Sequence, residues 1–341
     1  MKNTSPTPRS GRAPAASRAT IVDVAREAGV ALSSASAALN DRPGVSDDTR
    51  KRVKAVAAQL AYVPSMRGKS LSSQRAFAVG LVVERDPEVL ESDPFFGAFI
   101  GGIEESLSAE GYVLALLVTE DEQATLRRLV ELVQGRRVDG VFVNELKVDD
   151  PRIALLRDLG VPAVAINPAD SDFAFPSVHQ DGTRAIREIV RTLVKLGHTR
   201  IAHVSGPVSY AHSADRLRAW RTAMEAEGLA IDLVEDGSFT YEGGRRAADI
   251  LLTRTGRPTA VFCANDQSAI GFMNRAIEFE IPVPDALSIV GYDGNRIGEF
   301  VKPQLATVQT SPRQLGREAA RMLLDAVTGG EPADVVLAEA R

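Results

Sequence analysis

Between Ala31 and Asn40 a helical repeat turns short side chains outward: Leu32, Ser33, Ser34 and Ala37. Ala35, Ala38 and Leu39 fall on the opposite face. Small hydroxyls on a narrow helix can enter a DNA major groove and reach base edges or phosphates. The competing reading of the same residues is an ordinary helical subdomain with a solvated basic face. No set of residues elsewhere is arranged for catalysis. No GxxxxGK[ST] or GxGxxG follows a strand-like run, and no Ser, His and Asp order stands out. His179, His198, His203 and His212 form no metal-ligand pair at helical spacing, and Cys263 is the only cysteine. The expectation is a binding protein with no catalytic residue, no metal and no cofactor.

The elements that would hold this helix are legible on either side of it. Val22, Val24, Ala25 and Ala28 repeat at helical spacing behind Thr20, which can serve as N-cap. Gly29 breaks that first helix, and Val30 can pack into the angle before the second. Ser46 caps a third helix, with Asp47 and Asp48 in the first turn, where the dipole favours anions. Val53, Val56, Ala57 and Leu60 form its apolar stripe, and Pro64 ends it. Charge sets this region apart. Residues 1–75 hold 13 Lys and Arg against 5 Asp and Glu; the remainder holds 27 against 40, a division hidden in the whole-chain net of −5. A basic arm on an acidic body points to a polyanion partner for the arm alone. Met1–Arg18 is rich in Pro, Ser, Thr, Ala and Arg and has no apolar run, so it reads as a disordered basic tail, neither signal peptide nor membrane span. Cytoplasmic residence at the nucleoid is expected, with no membrane partner.

From Phe77 onward short apolar runs alternate with amphipathic stretches. AVGLVV, VLALLV, GVFV, AVAI, IAHV, AVFCA and SIVGY read as strands. Ala98–Glu110, Thr125–Gln134, Arg184–Leu196, Ala214–Glu227, Gly243–Leu252, Gln267–Glu278 and Pro312–Val327 read as helices. Such alternation predicts α/β architecture with parallel sheets covered by helices, and ligands at the carboxyl ends of strands.

Taken together, IVDVAREAGV, the S-x-S-x-x-LN run ending at Asn40, the turn RPGVS, the T-R-x-x-V of Thr49, Arg50 and Val53, and AYVP at 61–64 resemble the LacI/GalR family of bacterial transcriptional regulators. The resemblance extends over about residues 20–330. It implies base contacts from Leu32, Ser33 and Ser34, with Ser36 and Asn40 nearer the backbone. Many members carry Arg where this chain has Ala37, so a bidentate donor to guanine is missing there. Ser65–Ser72 occupies the position of the family hinge helix, and Leu71 matches the leucine that wedges into the minor groove. Gly68 and Lys69 stand where Ala and Arg are common. Gly68 costs about 1 kcal/mol of helix stability against Ala, so the hinge is expected to fold less readily without DNA.

For the body, the resemblance implies a two-lobed effector domain similar to periplasmic sugar-binding proteins, crossed by the chain near Val178, Val308 and Gly330. It places Phe95, Phe96, Arg216, Asn265 and Asp293 at effector-binding positions and Tyr210 and His212 in a loop that differs by ligand; Phe239 can join Phe95 and Phe96 in covering an apolar sugar face, which makes it an effector-binding candidate too. Arg216, Asn265 and Asp293 suit a polyol, because fixed donors and acceptors can grip vicinal hydroxyls. Each residue also has a plainer reading. Asp293 or Asp266 can cap the helix that follows, Arg216 can pair with Asp215, and the phenylalanines can be core. His212 can bond a hydroxyl or lie satisfied at the surface. Trp220 is expected in the core, and Tyr210, where purine-binding members carry Arg, argues against a purine.

The expected layout is a disordered tail at 1–18, a helix-turn-helix domain at 19–63, a hinge at 64–75 and an effector-binding and dimerisation domain at 76–341. The first lobe takes 76–178 and 308–330, the second 179–307 and 331–341. The chain ends at VVLAEAR where the family has a VRES-like run, so a short last strand is expected. Without a tetramerisation tail, a homodimer is expected. The function implied is a repressor on a pseudo-palindromic operator, released by a small sugar-like effector. A corepressor-dependent regulator and a solute-binding protein that does not bind DNA are the alternatives.

Overall fold

A computed structural model of the chain describes residues 19–63, 68, 70, 73–85, 90–91, 93–168 and 173–341. The chain divides into two compact units, residues 1–75 and 76–341.

In the first unit, α1 (Ile21–Glu27), α2 (Leu32–Leu39) and α3 (Asp47–Gln59) close around a small core of Val24, Ala25, Ala28, Ala35, Ala38, Val53, Val56 and Ala57. Thr20 and Asp23 make a reciprocal capping box. The Thr20 hydroxyl accepts from Asp23 N at 3.4 Å, and Thr20 N donates to the Asp23 carboxylate at 2.9 Å. Ser46 caps α3 by accepting from Thr49 N. Gly29 turns the chain between α1 and α2 at φ +64°, a left-handed conformation that a side chain resists. Val22 departs from its expected place: it is 55% exposed, because α1 is only two turns long and its buried stripe is carried by Val24, Ala25 and Ala28.

The second unit contains two parallel sheets. One has the order β11-β5-β4-β3-β1-β2, from Val335–Val336, Ser177–His179, Ala163–Ile166, Gly140–Val143, Ala78–Glu84 and Val113–Thr119. The other has the order β10-β9-β8-β6-β7, from Ala306–Gln309, Ser288–Asp293, Ala260–Cys263, Ile201–Ser205 and Val234–Asp236. On one face of the first sheet, α4 (Pro94–Ala109) and α12 (Pro312–Val327) bury Phe99, Ile103, Leu107, Leu315 and Leu323. On the other, α5 (Glu122–Gln134) and α6 (Pro151–Leu159) bury Leu129, Leu132 and Leu156. The second sheet is covered by α7 (Thr183–Lys195) and α8 (Ala211–Ala226) on one side. On its other side lie α9 (Tyr241–Thr253) and α10 (Asp266–Glu278). A short α11 (Ile297–Phe300) follows β9.

The seven strands read from apolar runs are all present, and β11 is the short last strand expected at VVLAEAR; β5, β7 and β10 are short and carry polar residues, so no apolar run marks them. Two boundaries need correction. Val308 and Gln309 were expected in the first lobe, yet they belong to β10, which pairs with β9 in the second. Residues 331–336 were expected in the second lobe, yet β11 pairs with β5 through Val335 and Val178 in the first. Asp334 anchors it by accepting from Ser177 N at 2.7 Å. Only beyond β11 does the chain reach the second lobe, where Ala340 is buried and its N–H donates to Asp181 O.

The lobes also meet away from the chain crossings. Val148 N donates to Ser209 O at 3.0 Å and Ala211 N to Leu146 O at 2.8 Å, a two-bond main-chain clasp. Ala211 opens α8, yet its side chain is buried in the core formed by α5, α6 and the first sheet.

Candidate functional site

In a parallel sheet the residue after a strand leaves the ladder at the carboxyl end, where loops from neighbouring strands converge. The ends of six strands meet there, five of them with polar side chains. β1 ends in Glu84 and Arg85, β3 leads to Asn144 and Glu145, and β4 to Asn167. Across the cleft, β6 leads to Gly206, β8 to Ala264 and Asn265, and β9 ends in Asp293. Of these, Arg85, Asn144, Glu145, Asn167, Asn265 and Asp293 line a chamber of about 60 Å³ that also receives Asp93 before α4, Phe95 and Phe96 from α4, His212 and Arg216 from α8, and Phe239.

Two arginines organise the chamber. Arg85 donates through Nε to both oxygens of Glu145 at 2.9 Å and lies over the Tyr210 ring at 4.6 Å. Arg216 donates through Nη1 to Ala264 O at 2.5 Å, stacks over Tyr292 at 3.9 Å and stands 3.7 Å from Asp293. Its expected rival partner, Asp215, pairs with Arg218 instead. Burial pushes the Asp293 carboxyl well above its usual range, and Arg216 offsets this only in part. Burial raises Asp93 too, although Phe95 N donates to it at 2.9 Å. Asn144 is 3% exposed, and among the described residues neither its amide nitrogen nor its amide oxygen has a hydrogen-bond partner. Such a group is costly to bury unless something else meets it.

The aromatic side chains form the walls. Phe96 is buried against the first core and meets Phe95 edge-on at 5.7 Å, so both the core and the cleft readings apply to it. Phe239, at φ +57°, lies so close to Gly206 that a Cβ there would fall 2.2 Å from its ring. His212 is sandwiched between Tyr210 at 5.8 Å and Phe239 at 5.3 Å. Burial, then Arg216 and Arg85, hold His212 well below the usual histidine range, so it stays neutral.

Two expected site residues are placed differently. Asn265 borders the chamber, but its amide caps α10 through Ser268 N and donates to Phe239 O at 2.8 Å; it positions the Phe239 wall. Tyr210 does not line the chamber. It lies behind Arg85 with its hydroxyl 3.5 Å from Glu84 O, because the clasp ties its backbone to the first lobe. Asp266 caps nothing; its carboxylate accepts from Thr307 Oγ1 and Asn295 N. Trp220 is fully buried in the core. Arg85, Asp93, Asn144, Glu145 and Asn167 escaped the sequence reading. Four of them follow the runs AVGLVV, GVFV and AVAI within two residues, which is the signal that marks them.

On the first unit, Leu32 is 50% exposed, Ser33 and Asn40 are exposed, and Ser34, Ser36 and Ala37 are half-buried along α2. Asn40 donates to Ser36 O at 2.9 Å. No side chain caps the N-terminus of α2. Gly68 is exposed; Lys69 and Leu71 lie outside the described residues.

Residues 20–65 match the family model of bacterial regulatory proteins, lacI family. Residues 76–340 match periplasmic binding proteins and the sugar binding domain of the LacI family. The chain belongs to the LacI family. This LacI-family chain is 32% identical over 328 residues to the HTH-type transcriptional regulator CelR of Thermobifida fusca, covering 94% of this chain and 96% of the relative. It superposes on the solved CelR–cellobiose complex with a TM-score of 0.72, covering 95% and 98% of the two chains at 32% identity. With the lac repressor dimer bound to operator and the anti-inducer ONPF, the TM-score is 0.82 at 26% identity, covering 94% and 96%. The fold is thus a LacI-type headpiece joined to a periplasmic-binding-protein-like domain, and the family is one of DNA-binding regulators with a sugar-binding domain. Among the described residues no cluster of His, Cys, Asp and Glu could hold a metal ion, and no helix is long and apolar enough to cross a membrane.

Proposed function

We propose that this regulator is a repressor that binds a pseudo-palindromic operator as a homodimer and is released by a sugar-like polyol. The observation that carries the effector class is Asn144, which borders the chamber and whose buried amide has no hydrogen-bond partner at either atom among the described residues. Hydroxyls satisfy such an amide at both atoms, since each can donate and accept. Asp93 and Asp293 offer further acceptors, Arg216 a donor, and the Phe95, Phe96 and Phe239 rings an apolar wall for a sugar face. The likeness to a regulator solved with cellobiose supports the same class.

The DNA contacts fall to α2. Leu32, Ser33 and Ser34 meet base edges, Ser36, Ala37 and Asn40 border them, and Thr20 holds α1 across the backbone. The uncapped first turn of α2 leaves amides for a phosphate. Gly68, Lys69 and Leu71 act at the operator centre. Dimerisation uses the edge strand β2, whose Val113, Leu116 and Val118 are exposed, 60%, 41% and 38%. The effector acts by binding the released arrangement more tightly than the DNA-competent one.

The test is fluorescence anisotropy with duplexes from the region upstream of the gene, repeated with a panel of neutral sugars. Salt-sensitive binding that one sugar abolishes is the expected result. Binding that appears only with a sugar would make the ligand a corepressor. No specific binding in any condition would remove the regulator from its own neighbourhood.

A further inference from the structure

The chamber is not the end of the cleft. It shares Asn167, His212 and Arg216 with a neighbouring groove of about 600 Å³ between α7 and α8, ten times its own volume. Arg216, Ala219, Ala223 and Ala226 follow one another along a single face of α8 at helical spacing. From Arg216 to Ala223 the floor runs about 10 Å at the helical rise. A ligand anchored in the chamber therefore has room to extend in this direction, over a floor of small side chains.

The two compartments differ in charge. The chamber holds Asp93, Glu145 and Asp293 against Arg85 and Arg216. The groove holds Arg187, Arg191, Arg216 and Arg218 against Asp181 and Asp215. Asp215 pairs with Arg218, and Glu227 stands 3.5 Å from Arg191. Arg187 has no hydrogen bond or ion pair among the described residues, although it lies in the field of Asp181. Arg187 and Arg191 are one turn apart on α7, and Thr183, whose hydroxyl bonds the Asp181 carboxylate, and Thr222 line the same groove. A planar guanidinium beside hydroxyl donors suits a phosphate or carboxylate held bidentately.

We infer that the effector is an acidic sugar: its polyol ring fills the chamber, and an anionic group, phosphate or carboxylate, rests in the groove on Arg187 with Arg191 and Arg218. This rests on the polyol reading of the chamber. It makes the groove the element that selects among sugars sharing one ring.

Isothermal titration of the full chain tests it. The probes are glucose, galactose, ribose and cellobiose, each beside its terminal phosphate ester and its aldonic or uronic acid. The expected result is that one charged member binds at least about tenfold tighter than its neutral parent, since a charge-assisted pair is worth roughly 1.5–3 kcal/mol. Arg187→Gln should remove that advantage and Arg187→Lys should restore part of it. The favoured arm, ester or acid, identifies the anion. A neutral sugar that binds as tightly as its charged derivatives would overturn the inference and leave the polyol reading standing. An advantage undiminished in Arg187→Gln would overturn the placement in the groove. If no sugar binds, charged or neutral, the polyol reading itself fails and takes this inference with it.

Discussion

The headpiece and the cleft solve opposite problems with the same chain. The headpiece buries only Val and Ala at its centre and keeps its ionisable groups, some of them paired with one another, outside that core. The cleft draws Arg85, Asp93, Glu145, Arg216 and Asp293 out of water and sets them against one another. A surface that reads DNA needs charges free to meet phosphates, whereas a chamber that detects a small molecule needs polar groups whose partners are few. The first design fails when a charge enters it and the second when a charge leaves it.

The largest expected effect enters the headpiece core. Val53 is fully buried there, and Val53→Asp should unfold the three helices. Operator affinity should fall about a thousandfold or more, with sugar affinity within about twofold, as read by anisotropy and calorimetry. Parallel loss of sugar binding would show that the two designs are not separable.

Next comes acid sensitivity, which belongs to the second unit. His203 is stacked between Trp220 and Phe262, and burial lowers it to about 4. The unfolded chain takes up that proton first, so stability is complete above about pH 6.5 and declines as pH falls towards 4, by up to about 3 kcal/mol. Asp266, raised by burial to about 6, works the other way: its buried carboxylate loses stability as pH rises from its ordinary value through 6. His203→Phe should therefore flatten or reverse the thermal-midpoint decline between pH 6.5 and 4.5. An unchanged slope would exclude His203 as its source.

Arg216→Ala should weaken effector binding about a hundredfold, because Asp293 is left buried without its cation. Operator binding without effector should change by no more than about threefold. The smallest effect returns to the headpiece: Thr20→Ala removes the capping box and should cost about 1 kcal/mol, seen as roughly fivefold faster amide exchange in α1. A shift of that size in α9 or α10 instead would break the contrast.

The same division explains what was legible in the sequence. The headpiece helices are local: caps, stripe and breaks lie within a few residues of each other, and only Val22, on a helix too short to need it, faces the other way. The long strands were visible for the same reason. The chamber is a long-range object. Arg85 meets Glu145 sixty residues away, and Arg216 reaches Ala264 and Asp293 from another helix. Spacing along the chain carries no trace of such pairs. The family resemblance supplied Arg216 and Asp293, whereas Arg85 and Glu145 required the sheet order. β11 was legible as a short last strand but its sheet was not, because its place is fixed by a long-range bond from Ser177 N to Asp334.

The clasp between the lobes lends itself to engineering. Val148 and Val208 flank it from opposite lobes and are 60% and 56% exposed, while the only native thiol, Cys263, is buried and held protonated. Cysteines placed at these two positions would take a dye pair without competition from the native residue. The chain would then report the spacing of its lobes as an optical signal, with operator and chamber both left untouched.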